Sequence, residues 1–184
     1  MIFIKKHEIS IRTLEPEDAE LLVKWLSDPT VLEYYEGRDR PHDLELVIKH
    51  FYEDREGITQ CIIQYKEVDI GFIQFYLIGD EELEIFDYKE YPGKIYGMDQ
   101  FIGEPSYWNQ GIGSRLIQEI VSYLVDQQGA NKIVMDPQAW NSRAIRVYEK
   151  NGFKKKKYLE KHEMHEGELR DCWLIEFDVE SGVN

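Results

Sequence analysis

The stretch YWNQGIGSRLIQEIV, residues 107–121, decides how the rest of the chain is read. From Gly111 onward, Ile112, Leu116, Ile117, Ile120, Val121, Leu124 and Val125 recur at steps of four, one and three. That spacing predicts one face of a helix about four turns long. Just before it, IYGMDQFIG (95–103) reads as a strand. Gly111 and Gly113 therefore stand where a helix begins, with a first turn of N–H groups that has no intrahelical acceptor and a positive dipole end. Without side chains at these two positions an anion can reach the donors of residues Gln110, Gly111, Ile112, Gly113 and Ser114. Tight packing at a helix start asks for the same glycines, so the loop alone leaves a phosphate cradle and a packing role both open.

Working outward, EISIRTL (8–14) alternates like a strand, and Pro16 opens a helical segment with Leu21, Leu22, Trp25 and Leu26 on one face. A second helix is expected from Asp43 to Glu53, then strands QCIIQY (60–65) and DIGFIQFYLI (69–78) around the turn-like KEVD. The acidic segment 79–93 reads as a loop. KIVMD (132–136) reads as a short buried strand. NSRAIRVYEKNGF (141–153) reads as a helix with Asn141 or Ser142 as N-cap and Asn151-Gly152 as its left-handed stop. Two closing strands, KKKKYLEKHE (154–163) and RDCWLIEFDV (170–179), flank a turn region HEMHEGEL (162–169). Strands alternating with helices and ending in a hairpin predict an α/β (α+β) fold with a mixed sheet flanked by helices.

The chain has 184 residues and is read as a single domain. No apolar run approaches the ~18 residues needed to span a bilayer, and MIFIKKHEIS lacks the regions of a signal peptide. Cys61 and Cys172, the two cysteines, lie in apolar strand-like stretches and are expected as buried free thiols. The chain is accordingly read as cytoplasmic. Asp and Glu number 36 against 22 Lys and Arg, a formal net charge of −14. Such a field repels nucleic acid and anionic membrane and draws cations.

Asn141, Ala144, Tyr148, Gly152 and Phe153 fit the pattern Asn-x-x-Ala-x-x-x-Tyr-x-x-x-Gly-Phe. Together with YGMDQFIGEPSYWNQGIGSRLIQEIV and KIVMDP, in that order, they resemble the later half of the GCN5-related N-acetyltransferase (GNAT) family. That family's pyrophosphate loop usually opens with Arg or Gln, where this chain has Trp108, a departure that leaves the backbone donors of 110–114 untouched. IRTL, KWL, VLEYYEGRD (31–39), IYGMDQFIGEP and HEMHEG extend the resemblance to the aminoglycoside 6'-N-acetyltransferases. Within that branch the chain is particularly similar to the acetyltransferase half of the bifunctional Gram-positive resistance enzyme, with no kinase half expected after Asn184.

The resemblance implies a GNAT fold whose mostly antiparallel sheet splays between IYGMDQFI and KIVMD to admit acetyl-CoA. It places the pyrophosphate on Gln110 to Ser114 and further cosubstrate contacts at Phe101, Ile102, Asn141, Ala144 and Tyr148. Asp99 resembles the family's catalytic carboxylate, which orients the 6'-ammonium and accepts its proton. Tyr148 resembles the tyrosine that protonates the departing thiolate, a task suited to a phenol of pKa near ~10. A backbone N–H near Phe101 or Ile102 is the expected oxyanion donor. The partner implied is a cationic small-molecule amine, an aminoglycoside, met by carboxylates and aromatic faces. Asp136 and Asp99, each at a strand end, come first, with Glu166, Tyr35 and Trp25 as further contacts. Glu33, Glu36, Asp39, the acids of 80–84 and Asp171 are rim acids at most.

His162 and His165 in the HEMHEGEL turn are read as a solvated loop and not as a metal site, and KKKK (154–157) as an exposed strand face. No metal is expected, and a monomer or homodimer is. Two competing functions remain: acetylation of another amine (a protein N-terminus, a polyamine or a hydroxamate precursor) and an acyl-CoA-binding sensor without turnover.

Overall fold

Both periodicities become elements of the structure, a computed structural model that describes residues 1–182. The strands form a mixed, mostly antiparallel sheet in the order β1-β2-β3-β4-β5-β6-β8-β7, numbered along the chain. The chain divides into two compact units, and β4 (Val68–Leu77) and β5 (Ile95–Ile102) run through both.

The first unit comprises residues 1–74, 100–112 and 165–168. It holds β1 (Ile2–Lys6), β2 (Ile9–Thr13) and β3 (Ile58–Tyr65), paired antiparallel in succession. It also holds α1 (Ala19–Trp25), α2 (Pro29–Leu32) and α3 (Leu44–Phe51). Leu22, Trp25, Leu26, Val47 and Phe51 meet Ile62, Phe72 and Phe101 in one apolar cluster. The predicted helical faces thus supply this core, with a narrower stripe than expected on α3, where Leu44 and Ile48 are exposed. β1 was not anticipated. A tight turn with His7 in the left-handed region folds it back on β2. Two glycines of this unit are set by close approach. A Cβ at Gly71 lies 2.3 Å from the Phe101 carbonyl oxygen, and one at Gly103 lies 2.2 Å from the Trp25 ring.

The second unit comprises residues 75–99, 113–164 and from 169 onward. Here β6 (Lys132–Met135) lies parallel to β5 and antiparallel to β8 (Glu168–Asp178), with β7 (Lys154–His165) outside β8. α5 (Ile112–Asp126) and α6 (Ser142–Lys150) follow the predicted spans. Asn141 caps α6 by accepting the Ala144 N–H at 3.3 Å, and Gly152 ends it with φ +93°. The acidic segment departs from the expected loop, because Asp80–Ile85 is a helix, α4. Asp80, Glu81 and Glu82 sit in its first turn, where carboxylates complement the dipole, and Glu82 reaches back to accept the Gly79 N–H at 3.0 Å. Phe86 and Tyr88 after α4 are buried with Ile95, Val134, Leu159, Cys172 and Leu174. Both cysteines are buried and free, and burial pushes each thiol up to about 12.

The closing hairpin also differs from expectation. Its turn is only Glu166-Gly167, at φ +51° and +81°, so HEMH belongs to β7 and not to a loop. The lysine run on β7 is largely paired: Lys157 donates to Asp87 and Ile85, while Lys156 lies 3.6 Å from Glu176.

Candidate active site

The pairing of β5 with β6 covers Ile95–Gly97 against Lys132–Val134 and then stops. Met98 and Asp99 run on beyond it while β5 continues to Ile102 beside β4, so Asp99 stands within the strand and not at the strand end that the sequence suggested, past the last residue paired with β6. Gly97 is the reason the next contact exists. A Cβ there would stand 2.7 Å from the ring of Tyr76, so the phenol of β4 lies directly over the glycine. From that position the Tyr76 hydroxyl donates to Asp99 Oδ2 at 3.3 Å. Burial first, then the charges of Asp99, Asp136 and Glu82, drive the phenol pKa far upward. Tyr76 is therefore a fixed neutral donor on which three carboxylates bear. Sequence reasoning missed it, since the alternation of QFYL announces a strand and nothing more.

Asp136 follows β6 and is partly exposed. It has a partner the sequence did not suggest: His162 Nε2 stands 2.7 Å from Asp136 Oδ2. Their hydrogen bond raises the imidazole pKa above its ordinary value against the opposing effect of burial. The expectation of a solvated loop for His162 and His165 is thus corrected. His162 is partly buried on β7, and His165 is 5% exposed. Among the described residues no group of three or more His, Cys, Asp or Glu is arranged to hold a metal ion.

The glycine loop matches its local prediction closely. Asn109 at φ +58° and Gly111 at φ +74° turn the chain into α5. A Cβ built at Gly111 or Gly113 meets no atom within 4 Å, so neither glycine is required by packing. A clash with packed neighbours is therefore not what calls for either glycine, although the left-handed backbone at Gly111 favours one there. Gln110 donates its amide to the Ser106 carbonyl at 2.6 Å, and the Trp108 indole donates to the Ile102 carbonyl at 2.9 Å. Trp108 also meets Tyr34 edge-on at 5.6 Å. Ser114, in the first turn of α5, accepts from Asn151 Nδ2 at 3.0 Å, and the same nitrogen donates to Val147 at 2.8 Å. Asn151, read from sequence as a helix stop, thus also ties the end of α6 to the start of α5. Tyr148 on α6 is partly exposed, with its ring edge-on to Phe153 at 6.2 Å.

The remaining candidates lie in the first unit. Trp25 is fully buried, and its indole N–H donates to Glu104 at 2.9 Å. It is a core residue and offers no wall to a ligand. Tyr35 is partly buried against Phe101, ring centroids 4.5 Å apart. Glu166 is held by Arg38, which donates from Nε at 2.6 Å and Nη2 at 2.8 Å, and this pulls its carboxyl down to about 2. Asp171, in the second unit, is also engaged. It accepts the Lys161 N–H and the Tyr158 hydroxyl, each at 2.8 Å. Glu166 is thus charge-paired, whereas Asp171 is bonded by neutral donors.

The profile of the acetyltransferase (GNAT) domain family matches residues 15–161. The aminoglycoside N(6')-acetyltransferase type 1 of Klebsiella pneumoniae is 27% identical over 150 residues, covering 80% of this chain and 74% of that protein. The structure of AAC(6')-Ib in complex with ribostamycin and coenzyme A is similar at a TM-score of 0.78 and 24% identity, covering 96% of each chain. Spermidine N-acetyltransferase from Vibrio cholerae, solved with CoA and spermine, is similar at 0.76 and 15% identity, covering 96% of this chain and 99% of that one. At these identities the two structures speak for the fold.

Proposed function

The chain belongs to the acetyltransferase (GNAT) domain family, and from that premise we propose that it transfers the acetyl group of acetyl-CoA to the 6'-amine of an aminoglycoside. The observation that carries the substrate class is Asp99 bonded to the Tyr76 hydroxyl at 3.3 Å, with the charges of Asp136 and Glu82 also acting on that phenol. Carboxylates acting on one neutral donor suit a small molecule with several ammonium groups. The K. pneumoniae relative points to the same class.

The cosubstrate fits the residues present. The open space at Gly111 and Gly113 leaves the first-turn N–H groups of α5 accessible to a pyrophosphate. Asn141 and Ala144 at the start of α6 are assigned to the same ligand, and the oxyanion donor to a backbone N–H at Phe101 or Ile102. In the proposed reaction Asp99 holds the 6'-ammonium and takes its proton, directly or through water. The freed nitrogen attacks the thioester carbonyl, the N–C bond forms and the C–S bond breaks. Tyr148 supplies the proton to the departing sulfur, and the proton that the nitrogen sheds as it becomes an amide returns through solvent to the tyrosinate. Tyr76 serves by fixing the Asp99 carboxylate, and Asp136 by binding a second ammonium.

The test is thiol release from acetyl-CoA in the presence of kanamycin, with the acetylated position read by NMR. A 6'-hydroxy aminoglycoside is the control, since its hydroxyl is a far weaker nucleophile. Acetylation confined to the 6'-nitrogen supports the reading. CoA binding without thiol release for any amine points to a sensor, and turnover of spermine in preference to kanamycin points to a polyamine enzyme.

A further inference from the structure

We infer that His162 is a specificity-determining positioning residue: it holds Asp136 by one oxygen so that the other faces a substrate ammonium, and its own charge sets how strongly that ammonium is drawn. The inference rests on the acetyl-transfer reading above, and it concerns a residue that the reaction as drawn does not use.

The geometry shows a built contact. A regular strand sends alternate side chains to opposite faces. β7 breaks that rule between Leu159 and His162. Leu159 is buried in the cluster that contains Phe86, and the His162 ring lies 6.3 Å from the ring of the same Phe86. Two residues three apart thus face one way. The break is at Lys161, whose φ of +48° is left-handed, a conformation that a side chain with a Cβ adopts rarely and at a cost. Asp171 of β8 holds it there, accepting the Lys161 N–H with one oxygen and the Tyr158 hydroxyl with the other. A local kink of this kind re-aims the following side chain. Here it aims His162 at Asp136.

Asp136 is fixed from its other side too. The segment after it is laid along β8 by bonds from Trp173 N–H to Pro137 at 2.9 Å and from Ala139 N–H to Asp171 at 2.8 Å. A carboxylate only accepts, so the 2.7 Å contact requires a proton on His162 Nε2. That holds for the neutral tautomer and for the imidazolium alike. What changes between them is charge. With the imidazolium the pair is neutral overall, whereas with the neutral ring Asp136 keeps its full charge for an incoming cation.

The titration has identifiable neighbours. Asp136 and, on β7 itself, Glu163 raise the His162 pKa, and burial lowers it. Just after α4 the ring meets Phe86, which carries no charge. Cys172 of β8 lies in the field of the same two acids, but its thiol, pushed up to about 12, stays protonated. The sign follows. Below the His162 pKa the cation is drawn weakly, and above it strongly, so KM for the amine falls as pH rises through that value.

The experiment compares wild type with His162→Gln, whose amide nitrogen replaces Nε2 as an uncharged donor, and with His162→Phe, which cannot donate. Steady-state acetylation of kanamycin is measured at pH 6 and pH 8.5, with CoA affinity as the check on folding. At pH 8.5 the Phe variant should raise KM about 10-fold or more, on the scale of one hydrogen bond to a charged group, with kcat within about threefold. The Gln variant should show a KM at least about threefold lower than wild type at pH 6, and the ratio should move towards one at pH 8.5 as His162 loses its charge. Titration of the drug's own amines affects all three proteins alike and cancels in these ratios. An unchanged KM for the Phe variant, or a Gln to wild-type ratio that is the same at both pH values, overturns the inference. If the Phe variant no longer binds CoA, the Gln ratio alone decides. If wild type acetylates spermine but not kanamycin, the aminoglycoside reading falls and the same ratios on spermine decide the role of His162. If wild type acetylates neither, both fall.

Discussion

Replacing Gly113 separates stability from binding at one position. It is the second residue of α5, and a Cβ there meets nothing within 4 Å. No steric cost is therefore expected from Gly113→Ala, and removing a helical glycine gains up to about 1 kcal/mol. For a chain of this size that corresponds to a rise in Tm of roughly 2–4 °C at most, less if the first turn frays. The same methyl stands in front of the N–H groups assigned to the pyrophosphate. Losing one charge-assisted hydrogen bond of about 1.5–3 kcal/mol weakens binding roughly 10- to 100-fold. Gly113→Val should weaken it further, since its branched side chain covers more of the turn. Thermal unfolding without ligand and calorimetric titration with acetyl-CoA measure the two effects on the same samples. A Gly113→Val protein that unfolds like wild type and binds acetyl-CoA within about threefold of it would refute the assignment of the loop. Gly111 is a poorer probe, because its φ of +74° penalises any side chain for reasons unrelated to a ligand.

Asp99→Asn keeps an acceptor for the Tyr76 hydroxyl but loses proton affinity, so kcat/KM for kanamycin should fall at least ~100-fold with CoA affinity unchanged; near wild-type turnover removes Asp99 from catalysis. Tyr148→Phe keeps the ring contact with Phe153 and should lower kcat by ~100-fold or more, and a loss below a few-fold would assign the residue to packing. The Arg38–Glu166 pair should show in acid. Its carboxyl sits at about 2 in the folded chain against ~4.3 when unfolded, so its stabilisation is complete above ~4.5 and is lost as pH falls towards 2. The Tm difference between wild type and Glu166→Gln should therefore narrow from pH 5 to pH 2, and a constant difference means that the pair adds nothing.

Much of this molecule is written locally. The helical face of Ile112 to Val125, the Asn141 cap and the Gly152 stop depend on residues within a few positions of each other, so spacing and residue type suffice to place them. The same holds for the glycine loop, whose left-handed turn at Gly111 is a short-range demand of the backbone. Local signals also mislead where two short-range effects compete. The acids of 80–84 read as loop by composition, yet three of them occupy the first turn of a helix that their charge stabilises. A run with two histidines read as turn because the true turn, Glu166-Gly167, is so short.

What the sequence by itself determined, then, is the kind of elements present, the glycine turn, the Asn141 cap, and Asp136 as a carboxylate at a strand end, whereas Asp99, expected at an end too, lies within β5. Tertiary structure alone decided their partners. Tyr76 reaches Asp99 across 23 positions because Gly97 leaves space for its ring. His162 reaches Asp136 across 26 because one left-handed residue, Lys161, turns the face of β7. Trp25 left the list of ligand walls because Gly103 lets the chain close over it. The physical reason is common to all three. Propensity, capping and periodicity are short-range energies, whereas the meeting of side chains from different strands depends on register, which one kinked residue can reverse.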